Sequence, residues 1–411
     1  MTLQSVLRDA LGVEGGRITG VISRDRDRVV LGVAILAGRA QRCNVCGAKS
    51  PLYDRGCGVR SWRAVDLGVI RVELKGERRR VRCRRHGVVS EAVPWARSHS
   101  EFTRDFEDMV AWLVTQASRS AVSELMRVAW RTTGTIVERV VAEAALTAPV
   151  APLRSIGIDE KSYRRGHRYI TLVVDHDQSR LVWAHEGKSA AVLNTFFDEI
   201  GPERAAAIQT VSSDAAPWIE QVLEARIPQA QRCLDPFHVV AWATDAVERH
   251  RREEANMAHM WMTRGAARYI KGSRWILRTG AEHLSDRQRR QLDDLAERNE
   301  PLYRCYLLKE QLRLVFRVGG DEGCDLLREW LDSALTCGLS HIEVVAERIS
   351  DHLDAACAAI RLRISNARTE AFNTRIQMLN RRAYGFHSAL ALIALARLCM
   401  GGLCPPLPGR A

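Results

Sequence analysis

The stretch SIGIDEKSYRRGHRYITLVVDHDQSRLVW, from Ser155 to Trp183, decides the fold of the second half of the chain. It opens with an apolar run that stops at two adjacent acids, Asp159 and Glu160. Two β-rich runs follow, RYITLVVD and RLVWAHEG, and the HDQS between them is typical of a hairpin turn. Basic residues follow the acids at once: Lys161, Arg164 and Arg165. We therefore expect two acids at the tip of the strand SIGI, beside a surface that attracts phosphate.

An α/β pattern extends from this stretch to about residue 235. A helix is predicted over 188–200 (KSAAVLNTFFDEI), and a further strand, AIQTVSS, ends at Asp214. From about 236 to 360 we find only helical periodicity, and residues 361–395 carry one long helical pattern. The Gly/Pro-rich tail, GGLCPPLPGRA, is expected to be irregular.

The first 148 residues divide into a β-rich part and a helical part. Residues 1–40 predict a short helix and two β-rich runs, ITGVIS and RVVLGVAIL, and residues 41–98 add the runs GVIRVEL and RRRVRC. Residues 102–148 follow helical spacing, and the segment TAPVAPLR, with its two prolines, is predicted to be a linker. The predicted fold class is multidomain α+β.

The charge of the chain favours a polyanionic partner. Its 411 residues carry a formal net charge of +12 at pH 7, and the sequence pI is about 9.4. Nucleic acid is the commonest such partner, and an anionic membrane surface is the alternative. We find no apolar run of about 18 residues and no signal peptide, so we predict a cytoplasmic protein with no membrane partner. In that compartment the 11 cysteines are thiols or metal ligands rather than a disulfide framework.

Four residues in the N-terminal part have the spacing of a zinc site. Cys43-x-x-Cys46 is followed by Cys83-x-x-His86, and two such pairs can supply the four ligands of a tetrahedral site. With all four positions filled by protein, the zinc would be structural. Cys57 is a substitute ligand if the histidine points away. The alternative is that these are small buried thiols and a surface histidine.

The segment SRSAVSELMRVAWRTTGTIVERVVAE fits a helix-turn-helix. The turn is predicted near Val128 to Trp130, with Thr132 and Thr133 capping the second helix and contacting phosphates. Arg131 lies at the start of that helix, where recognition residues reach a DNA groove. The alternative is an amphipathic packing helix.

Three acids in the second half have the pattern of a magnesium site. Asp159 and Asp214 end strands, and Glu370 lies on the helical segment ARTEAFNTRIQMLNRRAYGF. Carboxylates from separate elements suffice for Mg²⁺, which keeps several waters, and such sites serve phosphoryl transfer. Each acid also has a simpler interpretation. Asp159 fits the end of a strand, Asp214 fits a helix N-cap, and Glu370 fits a solvated helix residue. Glu160 would point away from Asp159 if the strand continues, so we expect it to be a structural neighbour.

The helix that carries Glu370 has one polar and one apolar face. Its polar face continues through amides at i+3, i+7 and i+10: Asn373, Gln377 and Asn380. The apolar face consists of Phe372, Ile376, Leu379 and Ala383. We expect Asn373 and Arg381 to lie along a DNA backbone.

The order of five motifs resembles the DDE transposases of bacterial insertion sequences, most closely the ISL-three family. The motifs are GIDE, SSDAAPW, LDPFHVV, YLLKEQLR and TEAFNTRIQMLNRRAYGF. The resemblance implies an RNase H-like α/β core interrupted by an all-α insertion. It also implies a catalytic triad with Mg²⁺ or Mn²⁺, formed by Asp159, Asp214 and Glu370. His238 is implied to contact the scissile strand or to support the second acid, and Asp235 is the alternative second acid.

The resemblance completes the domain and function predictions. The β-rich zinc-binding domain covers 1–98, the helix-turn-helix 99–148, the first part of the core 149–240, the insertion 241–355, and the C-terminal part of the core 356–411. Double-stranded DNA, as transposon ends and target, is the expected partner, and paired ends imply a homodimer or larger. The predicted function is transposition. The alternatives are a catalytically silent DNA-binding regulator and a nuclease or resolvase unrelated to transposition.

Overall fold

The computed structural model describes almost the whole chain. The described residues are 2–56, 58–148, 151–364, 367–383, 385–386 and 388–410, with the side chains of 367–370 excepted. Contacts divide the chain into two compact units, Met1–Pro149 with Ala394–Ala411, and Val150–Ile393. Residues 356–411 were assigned together from the sequence, whereas these contacts group the chain from Ala394 onward with the first unit.

In the described residues up to Ala148, the first unit contains two small sheets and four α-helices. A four-stranded sheet has the order β1-β2-β5-β4, and a three-stranded sheet has the order β3-β6-β7. Trp62 and Trp95 meet edge to face in its core, with ring centroids 5.6 Å apart. The elements are α1 (Leu3–Ala10), β1 (Gly16–Arg24), β2 (Arg28–Ile35), β3 (Leu52–Asp54), β4 (Val59–Arg63), β5 (Arg71–Glu77), β6 (Arg80–Cys83), β7 (Gly87–Ser90), α2 (Arg104–Gln116), α3 (Arg119–Leu125) and α4 (Trp130–Thr147). The predicted strands and helices of this part are confirmed.

The second unit begins with a five-stranded mixed sheet of order β10-β9-β8-β11-β12. Strand β9 is antiparallel to both β8 and β10, whereas β11 runs parallel to both β8 and β12. The elements are β8 (Ser155–Arg164), β9 (Arg168–Asp175), β10 (Arg180–Glu186), α5 (Ala190–Ala206), β11 (Thr210–Ser213), α6 (Pro217–Arg226) and β12 (Gln231–Leu234). The sequence did not predict β12, because four residues, QRCL, carry too little periodicity.

The prediction that the first strand stops at the acids is wrong. Strand β8 runs on through Asp159 and Glu160 to Arg164, paired with β9 along its length. Its parallel pairing with β11, however, covers only Ser155 to Gly157. The acids therefore lie just beyond the parallel part of the sheet rather than at the tip of the strand, because an antiparallel neighbour extends the strand past them.

The remainder of this unit is helical in the described residues. The helices are α7 (Pro236–Trp261), α8 (Arg264–Gly272), α9 (Arg274–Arg278), α10 (Asp286–Arg298), α11 (Glu300–Val318), α12 (Gly320–Ala334), α13 (Ser340–Asp351), α14 (Leu353–Leu362) and α15 (Ala367–Arg382), and α16 (Ala389–Met400) closes the chain's helices. Helices α7 to α14 share one large apolar core. The single long helix predicted over 361–395 is wrong, since α15 and α16 are separate. Gly385, at φ +97°, lies between them in a conformation that interrupts a helix.

A buried ion cluster joins α7 to α9. Glu248 is 7% exposed and accepts hydrogen bonds from Arg251 at 2.8 and 2.9 Å and from Arg252 at 3.0 Å. Arg274 approaches the same carboxylate at 3.7 Å. The hydrogen bonds from Arg251 are the largest cause that lowers the pKa of Glu248, to about 2. The carboxylate is therefore held in its charged form inside the helical region.

We expect Glu248→Gln to destabilise the protein by about 3 kcal/mol, because it leaves Arg251 buried without its partner. The stabilisation from Glu248 is present above its ordinary pKa of about 4.5 and is lost as pH falls towards 2. Urea midpoints measured at several pH values should converge for parent and variant in that acidic window. Glu329→Gln, at an exposed position of α12, is the matched control and should leave the midpoint unchanged.

Candidate metal centres and DNA-binding surfaces

Two carboxylates stand at the same level of the five-stranded sheet. In the parallel ladder Gly157 of β8 pairs with Ser212 of β11, and Ser212 pairs with Cys233 of β12. Asp159 and Asp214 each follow two residues beyond that row. The charge of Asp214 contributes to raising the pKa of Asp159. The register of the sheet thus brings together two of the acids predicted from the sequence.

Asp235 stands two residues beyond the same row on β12, but its surroundings differ. Its side chain is 2% exposed and, as the N-cap of α7, accepts a hydrogen bond from the Phe237 N–H at 2.9 Å. His238 Nε2 lies 3.5 Å from its Oδ2, and the charge of His238 also lowers the pKa of Asp159. The alternative second acid therefore caps a helix, and the predicted His238 lies beside this group of acids.

Helix α15 packs its amides against β8. Asn373 donates from Nδ2 to Asp159 Oδ2 at 2.5 Å, and Asn380 donates from Nδ2 to the Tyr163 carbonyl at 3.0 Å. Three residues of the predicted apolar face, Phe372, Ile376 and Leu379, are buried as expected. The amide of Asn373 is bonded to Asp159. The DNA contact expected of Asn373 stays a prediction.

Glu370, the third predicted acid, belongs to the first turn of α15. Its side chain lies outside the part of the structure that is described. The contact between Asn373, three residues further along the same helix, and Asp159 shows that this helix returns to the strand that carries the first acid.

Burial and repulsion between acids set the electrostatics of this group. Burial is the largest cause that raises the pKa of Asp159, and the Asn373 hydrogen bond opposes it. Burial, and then the charge of Asp214, raises the pKa of Glu160 to about 7. Lys188 Nζ lies 3.4 Å from Glu160 Oε1 and partly offsets that rise. The acids therefore form a desolvated cluster whose negative charge a cation would relieve.

The oxygens of this cluster suit a hard divalent cation. Among the described side chains, Asp214 Oδ1 and Asn373 Oδ1 are buried and accept no hydrogen bond. Carboxylate and amide oxygens are the donors that Mg²⁺ prefers. Buried acceptors without a donor are costly unless a ligand satisfies them, so the residues present fit a magnesium or manganese ion.

Basic residues surround the β8–β9 hairpin. Arg164 and Arg165 are exposed at its tip, and Lys161 is half-buried on β8. Tyr163 is not part of this basic surface, since it is 5% exposed and donates to Glu186 Oε1 at 2.7 Å. Arg381, near the end of α15, is exposed. The four predicted cationic contacts of this unit are thus available to solvent, at least in part.

The predicted zinc ligands form a cluster in the first unit. The ligand atoms of Cys43, Cys46, Cys83 and His86 all lie within 4.8 Å of one another. Cys43 Sγ and Cys83 Sγ are each 3.6 Å from His86 Nδ1, and Cys46 Sγ is 3.7 Å from Cys83 Sγ. A hydrogen bond from the backbone N–H of Arg85 is the largest cause that lowers the pKa of Cys83, to about 6.

Two local turns bring these ligands together. Gly47, at φ +70°, follows the first pair, and its N–H donates to the Cys43 carbonyl at 2.9 Å. The second pair spans the connection from β6 to β7. Three thiols and an imidazole in this compact arrangement are the ligand set of a closed zinc site. Cys57, the predicted substitute ligand, lies outside the described residues.

The helix-turn-helix consists of α3, a short turn and α4. Ser118 caps α3 by accepting a hydrogen bond from the Ala121 N–H, and Ser123 Oγ donates to the Val128 carbonyl at 2.6 Å across the turn. Arg119 lies over the Trp130 ring at 3.7 Å. These contacts fix the angle between the two helices.

The predicted capping by Thr132 and Thr133 is wrong. The N-cap residue of α4 is Ala129, and within the described residues no side chain caps this helix. Thr133 is fully buried, donates to the Trp130 carbonyl at 2.7 Å and accepts from Arg119 Nε, so it cannot contact a phosphate. Arg131, in contrast, is exposed in the first turn of α4.

Sequence reasoning missed Lys188 and His176. Lys188 meets Glu160 only because the hairpin and α5 fold back, and no spacing in the sequence signals this. His176, in the HDQS turn, is buried, and its Nε2 lies 2.7 Å from Ser212 Oγ. A Cβ on Gly157 would come 2.7 Å from His176 Nε2, so a larger residue there would force the buried His176 to shift. A glycine within a buried strand is a signal of such close approach.

Comparisons with known proteins point to one class. Residues 156–396 match a family model described as transposase, and residues 91–141 match the helix-turn-helix domain of transposase family ISL3. The transposase for insertion sequence element IS1557 of Mycobacterium tuberculosis is 44% identical, covering 98% of this chain and 97% of that protein. The transposase for insertion sequence element IS1001 of Bordetella parapertussis is 28% identical, covering 84% and 85%.

The class that these matches define is the insertion-sequence transposases. Within that class, the chain belongs to the ISL3 family. The resemblance noted in the sequence is thereby confirmed. Across the described residues, every helix is too short or too polar to span a membrane.

Proposed function

We propose that the protein binds the terminal inverted repeats of its own insertion sequence and cuts and joins DNA there with a DDE triad. The observation that carries this proposal is that Asp159 and Asp214 lie just beyond the parallel pairing of β8 with β11, and that Asn373 of α15 is bonded to Asp159. The order β10-β9-β8-β11-β12, with three antiparallel and then two parallel strands, supports an RNase H-like core. The helices from α7 to α14 then form an all-α insertion, over about 241–355, before α15 returns to the sheet.

The reaction is two successive displacements at phosphorus. Water attacks the phosphodiester at each transposon end, and the bond from phosphorus to the 3′ oxygen breaks. The released 3′ hydroxyl then attacks a phosphodiester of the target strand in line, and the 3′ oxygen of the target strand leaves. A magnesium or manganese ion held by Asp159, Asp214 and Glu370 would stabilise the negative charge that develops on the reacting phosphate. No covalent link to the protein is needed, so positioning and charge neutralisation account for catalysis.

The chain's own residues hold the reacting groups in place. Asn373 fixes the orientation of Asp159 through the 2.5 Å hydrogen bond. His238, beside Asp159 and Asp235, is placed to contact the scissile strand or to hold the second acid. The exposed Arg164 and Arg165 on the hairpin are suited to bind phosphates of the DNA that carries the cut site.

The first unit recognises the ends. The cysteine–histidine cluster would hold a structural zinc ion, and Arg131 on α4 would reach the major groove of double-stranded DNA. Two ends must be held together for strand transfer, so we propose a homodimer or larger assembly on DNA. The protein would act in the cytoplasm, on the bacterial nucleoid.

Purified protein should cut and join an end-bearing duplex when Mg²⁺ or Mn²⁺ is present. Asp159→Asn and Glu370→Gln proteins should lose both products and still shift the duplex in a gel. Joined strands indicate a transposase, cut strands alone a nuclease, and a gel shift alone a silent regulator. Cleavage by both variants at the parent rate would show that this triad is misassigned.

A further inference from the structure

Helices α8 and α9 display a continuous stripe of exposed side chains. The backbone stays helical through Ser273, at φ −73° and ψ −5°, with i to i−4 hydrogen bonds from Ser273 N to Tyr269 O and from Leu277 N to Ser273 O. Positions spaced by four, three, four and three residues therefore share one face, about 21 Å long. These positions are Arg264, Arg268, Lys271, Trp275 and Arg278, and all five are exposed.

The positive charge of the stripe is not neutralised by acidic residues nearby in the sequence. Residues 256–278 contain Arg264, Arg268, Lys271, Arg274 and Arg278, and neither Asp nor Glu. Arg274 lies off the stripe and pairs with Glu248. The four cations of the stripe form no ion pair with a described carboxylate. Most arginines on the other helices of this region do form such pairs, so the charge here is left available to an anion.

An exposed aromatic side chain, Trp275, lies between the cations Lys271 and Arg278 of the stripe. Trp275 is 69% exposed, and the Arg274 guanidinium lies 5.6 Å from the centroid of its ring. At the end of α7, immediately before the stripe, Trp261 and Met262 are 78% and 72% exposed. Large apolar groups at such exposure mark an interaction surface. Cations interleaved with a tryptophan are the pattern that binds single-stranded nucleic acid, whose unpaired bases stack on the ring.

We propose that this stripe binds a DNA strand with unpaired bases. Its cations hold the phosphates, and one base stacks on Trp275. The partner is a strand rather than a second copy of the chain, because a two-fold contact through this face would bring like charges together. The proposal deepens the proposed function, since cleavage at a transposon end exposes such a strand, but binding can be measured without any cleavage.

The test measures binding of a labelled 20-nucleotide single strand to the full-length protein by fluorescence anisotropy. Trp275→Ala should weaken binding about tenfold, because one stacking contact is lost, and should leave the dependence on salt unchanged. Arg268→Glu with Lys271→Glu should weaken binding more and flatten the slope of log K against log salt by at least about 1.4, since two phosphate contacts are removed.

Duplex of the same sequence separates stacking from charge. Trp275→Ala should bind duplex as the parent does, because paired bases are not free to stack on the ring. The matched control is Arg287→Glu with Arg290→Glu, an equal charge change at exposed positions of α10, where acids are interleaved. This control should bind the single strand within about twofold of the parent, and circular dichroism should show all variants folded.

Two results would overturn the proposal. The first is parent-like binding of the single strand by Trp275→Ala, or an equal loss in the α10 control. The second is a change in molar mass by light scattering for Trp275→Ala with strand binding unchanged, which would identify the face as a contact between copies. A failure of end cleavage, with these binding results intact, would count against the proposed function alone.

Discussion

Asp214→Asn is expected to reduce strand cleavage about a thousandfold or more while leaving end binding unchanged. The substitution keeps the size of the side chain and removes the charge that faces Asp159. Loss of a metal ligand removes several kcal/mol of transition-state stabilisation, and about 1.4 kcal/mol corresponds to tenfold in rate. The measurement is single-turnover cleavage of an end-bearing duplex with Mg²⁺, together with a gel shift of the same duplex.

Asp235→Asn is the matched control for this prediction. Asp235 caps α7, and asparagine caps a helix about as well as aspartate, so the substitution should change stability little and spare most of the cleavage rate. A large loss of cleavage in Asp235→Asn, with full activity in Asp214→Asn, would assign the second acid to Asp235 instead. Equal losses in both would show that the whole edge of the sheet, rather than one carboxylate, is required.

Cys43→Ser is expected to unfold the region around the cysteine–histidine cluster and to abolish end binding. Structural zinc contributes roughly 10–16 kcal/mol to the folding of small zinc domains, far more than the strands β3, β6 and β7 can supply alone. Elemental analysis should find about one zinc per chain in the parent and close to none in the variant. A gel shift with end-bearing DNA then measures the loss of binding.

Cys337→Ser is the control, because this half-buried thiol in the second unit is remote in sequence from the four ligands. It should keep both the zinc and the binding. If the parent protein contains no metal and still binds ends at full affinity, the proposal that the cluster holds a structural zinc ion is wrong. The unit would then be held by the Trp62–Trp95 core alone.

The elements that were predicted correctly are those whose signal is local. The runs ITGVIS, GVIRVEL and RYITLVVD alternate or are apolar over enough residues to specify strands, and the burial of Phe372 and Ile376 follows from helical spacing. The four soft ligands were visible because two short pairs, Cys43-x-x-Cys46 and Cys83-x-x-His86, each form one turn. The two pairs meet in the structure, with their ligand atoms within 4.8 Å of one another.

The predictions from sequence failed where a residue distant in the chain determines the length of a strand or the contacts of a side chain. Strand β8 passes the acids because β9 pairs with it as far as Arg164. Thr133 is buried because Arg119 and Trp130 close over it, although its sequence position suits a cap. The amide of Asn373 meets Asp159, 214 residues earlier in the chain, and this contact was not predicted from the sequence. Helical periodicity places Asn373 on a polar face but does not say what that face contacts.

The sequence by itself determined the kind of protein: the segments that become strands and helices, the zinc-type cluster, the family, and which acids could serve a metal. Each of these depends on residue types and spacings within a few turns of chain. Only the tertiary structure decided that Asp159 and Asp214 share a level of the sheet and that Lys188 meets Glu160. These depend on strand register and on long-range folding, because the free energy of a buried polar group is set by whichever neighbour the fold brings to it.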